Sequence, residues 1–307
     1  MSEHHIPVML NESLDLLITD QSGVYFDATL GFAGHSSEIL KRLNADGRLV
    51  ASDVDKDAFE FSRNKFAEKS GVSLYNFNYS FIDVIAKIES IQYFDGILAD
   101  LGVSSFQLDN PESGFTYRSN ALLDLRMDKT KKITAADIVN TFKEEDLANV
   151  FYKYGEEKNS RKISRSIVEK RTSQKIETTG QLVTIINDLV PQNFQRKTLS
   201  RIFQALRIYV NDELGNLLLF LENSLRVLKK GGRIVVITYH SLEDRIVKDF
   251  FKAETVVNLS PKEDPLGIFK REARLKLINK KPIVPSDFEV RENYRARSAK
   301  LRVAERI

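Results

Sequence analysis

Four short stretches of the chain combine residue types that could do chemistry. The first is Gly31-Phe32-Ala33-Gly34-His35-Ser36, whose glycines permit a sharp turn and let a ligand approach main-chain N–H groups. Such turns also serve ordinary packing in parallel sheets, so this one carries weight only in company. Its company is Asp53, 19 residues after Gly34 and at the end of the next apolar run. A carboxylate there can accept both hydroxyls of a ribose, and the two features together point to an adenosine-containing ligand. The third stretch, Ile97-Leu98-Ala99-Asp100-Leu101-Gly102-Val103-Ser104-Ser105, ends an apolar run in an acid that either meets a ligand or caps a helix. The fourth, Tyr239-His240-Ser241-Leu242-Glu243-Asp244-Arg245, places His240 after another apolar run, as a catalytic group or as a hydrogen-bonded structural histidine.

The composition narrows the chemistry. The 307 residues contain no cysteine, which removes disulfides, thiolate metal sites and any cysteine nucleophile, and no metal-ligand set is called for. The glycine loop lacks the G-x-G-x-x-G spacing that admits a pyrophosphate, and it offers no arginine to a 2′-phosphate. S-adenosylmethionine has no phosphate to bind, and so suits the loop better than NAD.

These residues need elements to position them. Val24–Thr29, Arg48–Asp53, Val72–Phe77 and Phe94–Asp100 read as short buried strands, and His35–Leu43 and Lys56–Phe66 as helices, with Ser36 and Ser37 as cap candidates. That alternation predicts a doubly wound α/β sheet. After Leu101 it stops. Ala135–Thr141, Glu144–Tyr154, Arg161–Thr172, Thr179–Val190 and a long stretch from Leu199 to Leu228 read as helical, and strands return at Gly231–Thr238 and Ala299–Ala304. The expected organisation is a sheet domain made of residues 1–107 and 200–307, interrupted by a helical insertion at 108–199. The site residues on strand ends all face the carboxyl edge of such a sheet, where ligands bind.

Net charge is only +3, but it is unevenly spread. Arg161 to Lys175 holds six basic residues and one acid, and Ser260 to Ile307 thirteen basic and seven acidic. Two basic tracts on a nearly neutral chain suggest a localised face for a polyanion, or else a solvated helix surface. The amino terminus has no signal-like pattern and no segment approaches the length of a membrane span, so the expected location is the cytoplasm, with no membrane partner.

A set of longer strings carries a resemblance to a known family. They are H-I-P-V-M-L-N-E from His5, the G-F-A-G-H-S loop, D-L-G-V-S-S-F-Q-L-D, G-F-T-Y-R, L-D-L-R-M-D, Y-G-E-E, F-Q-A-L-R-I-Y-V-N-D-E-L, Y-H-S-L-E-D-R and R-A-R-S-A-K-L-R-V-A-E. In that order they resemble the bacterial 16S rRNA cytosine-N4 methyltransferases, the RsmH or MraW family. The resemblance implies a class I, Rossmann-like methyltransferase sheet with an inserted helical domain. It implies S-adenosyl-L-methionine as donor, and 16S rRNA within the small ribosomal subunit, at its decoding region, as the partner; a homo-oligomer is left open. The family's donor-binding residues fall on Ala33, Gly34, His35, Asp53, Tyr79, Asp100 and Gln107, with Phe77 and Phe81 as neighbours that could fill the adenine-facing slot instead of Tyr79. Ala33 stands where the family often has glycine, Leu125 where it often has methionine, Val284 for arginine and Tyr294 for proline.

Asp100 and His240 are the catalytic candidates. Cytosine N4 is a poor nucleophile, so alignment is the main task, and an acceptor beside it can offset growing positive charge. Methylation at C5 normally needs a cysteine adduct at C6, which this chain cannot form. Phe106, Phe115, Tyr117, Arg118 and Arg126 lie close together in sequence and could stack and grip a splayed base, or pack in a core. The Arg161–Lys175 tract of the insertion is the expected RNA-docking surface. Two other readings compete: a nicotinamide-dependent oxidoreductase, and a non-catalytic RNA-binding assembly factor that binds the donor without turnover.

Overall fold

A computed structural model of the chain describes residues 7–104, 107, 114–255 and 272–307. It divides into two compact units: residues 1–102 with 214–307, and residues 103–213. The first begins with α1 (Leu10–Leu17), then alternates β1 (Val24–Asp27), α2 (Gly34–Arg42), β2 (Arg48–Ser52), α3 (Lys56–Lys65), β3 (Val72–Tyr75), α4 (Ile82–Ile88) and β4 (Phe94–Asp100). The second unit holds α5 (Ala135–Thr141), α6 (Glu144–Gly155), α7 (Ser160–Arg171), α8 (Thr179–Asn187) and α9 (Gln192–Asn211). After α10 (Glu213–Val227), the chain completes the first unit with β5 (Leu228–Thr238), α11 (Ser241–Thr255), β6 (Leu275–Leu277), α12 (Asp287–Glu292) and β7 (Lys300–Arg306).

The seven strands lie in the order β3-β2-β1-β4-β5-β7-β6. Strands β1 to β5 are parallel, and β7 runs antiparallel to both β5 and β6. From β1 the chain builds outward through β2 and β3, then returns to β1's other side for β4 and β5. The strand order therefore reverses between β1 and β4, the switch point at whose carboxyl side doubly wound sheets bind their ligands. Asp27 ends β1, Asp100 ends β4, and Asp53 follows β2 by one residue.

Strand residues alternate between two apolar layers, as the two-residue period of a strand dictates. Phe26, Val50, Ile97 and Val236 face Leu217, Phe220 and Leu221 of α10 with Val247 and Phe251 of α11. Tyr25, Leu49, Leu98 and Val235 face Leu14 and Leu17 of α1 and Ile39 of α2. In the helical unit, Ile202, Phe203, Leu206 and Val210 form one stripe of α9, in a core with Leu147, Val150 and Phe151 of α6. Reciprocal caps start two of its helices: Thr134 with Asp137 for α5, and Thr178 with Gln181 for α8.

Some expected boundaries move. The long stretch read as helical from Leu199 to Leu228 is two helices and the start of a strand, broken where Asp212 turns left-handed at φ 51° and its N–H closes α9. Helix α9 starts directly after Pro191, so residues 200–213 belong with the helical unit instead of the sheet, and the other boundary lies at 102/103. Helix α8 ends at Asn187, short of Val190. Neither Ser36 nor Ser37 caps α2: Ala33 does, with no side-chain cap bond.

Candidate active site

The glycine loop turns immediately after β1. Gly31 adopts φ 49°, a left-handed conformation that costs glycine little, and its N–H donates to Asp53 Oδ2 at 2.7 Å. Gly34 is required by space: a Cβ there would lie 2.5 Å from Pro7 Cγ. Ala33 adopts φ 61°, which explains why glycine is at home in this slot. Leu125, also at φ 60°, carries the same backbone demand. Asp53 Oδ1 accepts from the Asp55 N–H at 2.8 Å. Burial pushes its carboxyl up to about 6, against the pull of those two N–H groups.

Sequence reasoning missed Asp27, whose only signal was an acid closing an otherwise apolar strand. It is 1% exposed, and accepts from Ser36 Oγ at 2.6 Å and from the Thr29 N–H at 3.1 Å. Burial raises its pKa.

Asp100 is tied to the turn after β1, to α2 and to the chain after β5. Its backbone N–H donates to Thr29 Oγ1 at 2.7 Å, and its Oδ1 accepts from the Tyr239 hydroxyl at 2.7 Å. Its Oδ2 lies 3.7 Å from His35 Nδ1, while His35 Nε2 lies 3.2 Å from the Val8 carbonyl. Burial pushes Asp100 up to about 7; the Tyr239 hydrogen bond lowers it, and the charges of Asp27, Glu243 and Glu289 raise it.

His240 has a local structural role. It precedes α11, where its Nδ1 accepts from the Glu243 N–H at 3.4 Å and Glu243 Oε2 accepts from the N–H groups of Tyr239 at 3.0 Å and His240 at 3.3 Å. This is a capping box with histidine in the cap position. Asp244 faces the tail strand: it takes Arg302 Nε at 2.7 Å and Lys300 Nζ at 3.0 Å. Burial pushes the Asp244 carboxyl up, but those two cations outweigh it and hold the group below the usual range.

Tyr79 begins a short 3-10 turn and is half-buried, with its ring edge-on to Phe220 at 5.2 Å. Phe77 and Phe81 beside it are 45% and 49% exposed. Gln107 lies in the other unit, buried, with Oε1 accepting from the Ser104 N–H at 2.9 Å.

The expected base-stacking loop is largely committed to packing. Phe106 lies outside the described residues. Phe115 belongs to the helical core, Tyr117 packs edge-on against Phe203 at 5.6 Å, and Arg126 is held by Asp124 and by the Lys131 carbonyl. Arg118 remains exposed.

A model of the MraW methylase family matches residues 2–307. The ribosomal RNA small subunit methyltransferase H of Caldicellulosiruptor saccharolyticus is 46% identical over 304 residues, 99% of each chain. The protein of the same name from Fusobacterium nucleatum is 44% identical over 308 residues, covering 100% of this chain and 98% of that one. Among solved structures, an rRNA methylase from Streptococcus thermophilus matches 97% of this chain and 93% of its own, with a TM-score of 0.40 and 11% identity.

Proposed function

The chain belongs to the MraW methylase family, and from that premise we propose that it transfers a methyl group from S-adenosylmethionine to N4 of a cytosine in the decoding region of 16S rRNA. The observation that carries the reading is the convergence of the Gly31–Gly34 turn, Asp53 and Asp100 at the switch point of the sheet.

The donor set fits S-adenosylmethionine. Asp53 and Asp100 pair with no lysine or arginine among the described residues, and the other charged groups acting on Asp100 are acids. Such an edge suits a ligand that brings hydroxyls, an ammonium and a sulfonium, and it disfavours a pyrophosphate. When bound, that donor supplies an electrophilic methyl group. Asp53 would hold the ribose hydroxyls, the turn at Ala33, Gly34 and His35 the amino-acid end, and Tyr79 or a neighbouring phenylalanine the adenine. Gln107 is the remaining residue that the resemblance assigns to the donor.

Asp100 has two offices open to it at this edge. It can accept from the donor's ammonium group, or from the cytosine amine, whose nitrogen gains a carbon bond and must release a proton. A carboxyl at about 7 can hold that proton. His240, bound into its capping box, would act by fixing the turn that presents Tyr239.

For the RNA, the helical unit offers exposed Arg161, Lys162, Arg165 and Lys170 on α7. Helix α9 adds four basic residues and no acid, with Phe194, Arg196 and Lys197 exposed in its first turns. Lys162 Nζ reaches the Leu189 carbonyl at 3.4 Å, which brings the α7 tract to the turn before α9. A cationic face bearing an exposed aromatic ring suits a single strand with unstacked bases.

The deciding experiment is mass spectrometry of 16S rRNA nucleosides from cells lacking the protein, with small subunits from those cells as substrate for the purified chain. Loss of N4-methylated cytidine and its restoration in vitro support the reading. Donor binding without transfer would assign the chain to a non-catalytic role instead.

A further inference from the structure

We propose that Tyr239 is a positioning residue for Asp100, fixing which carboxylate oxygen is presented to a ligand amine. The inference rests on Asp100 meeting the donor or the cytosine amine, as read above.

Tyr239 follows the last residue of β5, and β5 pairs with β4 so that Ile237 stands beside Asp100. The tyrosine is held at three points. Its N–H donates to Glu243 Oε2 at 3.0 Å, its ring lies against Gly102, and its hydroxyl donates to Asp100 Oδ1 at 2.7 Å. At Gly102 the backbone has φ 111°, and a Cβ there would stand 3.4 Å from the tyrosine ring. The chain just past Asp100 therefore lies directly against the ring that holds it.

The other carboxylate oxygen is treated differently. Val8 offers a carbonyl, which can only accept, so His35 carries its proton on Nε2. Nδ1 of the same ring lies 3.7 Å from Asp100 Oδ2, beyond hydrogen-bond reach. Among the described residues, Tyr239 is thus the side-chain donor to this carboxylate, and Oδ2 stays open to an amine. Burial, with the neighbouring acids, raises the tyrosine's own pKa well above its ordinary value, so the phenol remains a donor throughout the working range.

The groups facing Asp100 come from every neighbouring element: Asp27 from β1, His35 from α2, Glu243 from α11 and Glu289 from α12. The three acids disfavour its charge, and the Tyr239 hydroxyl opposes them. Removing that hydroxyl has a directional consequence: Asp100 should hold its proton to higher pH.

The test is Tyr239→Phe, with S-adenosylhomocysteine binding by calorimetry and single-turnover methyl transfer each followed from about pH 6 to about pH 8.5. In whichever of the two Asp100 governs, the acid limb moves up by about one unit, so the loss is about tenfold near pH 6, about fivefold near pH 7 and under about twofold near pH 8.5. In an Asp100→Asn background the same substitution leaves both profiles unmoved. A uniform loss at every pH, with both limbs in place, would reduce Tyr239 to a packing residue and overturn the proposal. So would a shift that persists with Asn at position 100. A wild-type chain that binds no S-adenosylhomocysteine at any pH would sink the donor reading first and this proposal with it.

Discussion

The hydroxyl of Ser36 donates to Oδ2 of Asp27 at 2.6 Å, tying the first turn of α2 to the end of β1. Those two residues bracket the Gly31–Gly34 turn, and both are buried. The turn is thereby anchored at each end, and Asp53 grips its middle through the Gly31 N–H. Ser36→Ala would leave the Asp27 carboxyl buried with one donor fewer. The expected cost is about 1 to 2 kcal/mol of stability, the size of one lost buried hydrogen bond. Urea denaturation measures it, and donor affinity should weaken in parallel because the turn is loosened. A fully stable variant would show that Asp27 needs no help from α2.

Asp53→Ala should weaken donor binding by roughly 1.5 to 3 kcal/mol, the usual worth of a hydrogen bond to a charged group. The substitution also frees the Gly31 N–H, so part of the loss reflects a less ordered turn. Asp53→Asn keeps the amide oxygen that can accept from the Gly31 N–H, while the charge is gone and its NH2 faces the Asp55 N–H, so its loss should be smaller than that of the alanine variant. Unaltered donor affinity in both folded variants would remove Asp53 from the site.

The adenine slot is tested by stability against affinity. Tyr79 packs edge-on against Phe220, so Tyr79→Ala should cost both folding stability and donor binding, the latter by about 1 to 3 kcal/mol as for a lost aromatic platform. Phe77 and Phe81 are far less embedded. If Phe81→Ala or Phe77→Ala removes donor affinity at unchanged stability while Tyr79→Ala affects stability alone, the slot shifts to that phenylalanine.

The sheet was legible because its signals are local. Phe94–Asp100 reads as an unbroken buried strand and folds as one, with the same bounds. Asp53 and Asp100 stood out because an acid ending an apolar run has no packing reason to be there. Asp27 was equally placed, yet nothing in the sequence tells that Ser36 would turn back to it. Tyr239 was hidden for a similar reason: its partner Asp100 is 139 positions away and adjacent only through the β4–β5 pairing. Residues in other strings of the family resemblance hold turns of the helical unit. The Asn211 side chain bonds the Leu125 carbonyl at 2.8 Å and the Met127 N–H at 2.9 Å, and Arg207 grips Glu213 through two contacts of 2.8 Å across the break at Asp212. Sequence shows such residues as unusual, but only the folded chain says that they hold turns.

The basic tract of α7 divides in the same way. Arg171 donates to the Val139 and Phe142 carbonyls at 2.7 and 2.6 Å, so it belongs to the fold. Arg171→Ala should destabilise the chain by about 1 to 3 kcal/mol and leave the salt dependence of RNA binding unchanged. Replacing Arg161, Lys162 and Lys170 with glutamine should do the opposite, flattening the log–log salt slope by nearly one unit per lost phosphate contact. Donor affinity stays constant in both. A slope that ignores the triple variant would move the RNA surface off this helix.

Asp100→Asn links chemistry to stability. The folded chain holds the Asp100 proton up to about 7, whereas an unfolded chain releases it near 3.8, so between those values the folded state binds more protons. Stability contributed at this site therefore falls as pH rises through that window. Asparagine cannot ionise, and the variant should gain on the wild type by about 3 to 4 kcal/mol as pH goes from about 4 to about 8. A pH-independent difference in denaturation would contradict a buried, strained carboxylate. The same substitution should lower methyl transfer by at least about 10²-fold, the typical cost of one preorganised electrostatic group. Where that loss falls is informative. A drop in turnover at saturating donor places Asp100 at the cytosine amine, and a raised donor dissociation constant with turnover kept places it at the donor's ammonium group. A more stable enzyme that is also slower is the signature expected of a carboxylate kept at a folding cost for the reaction it serves.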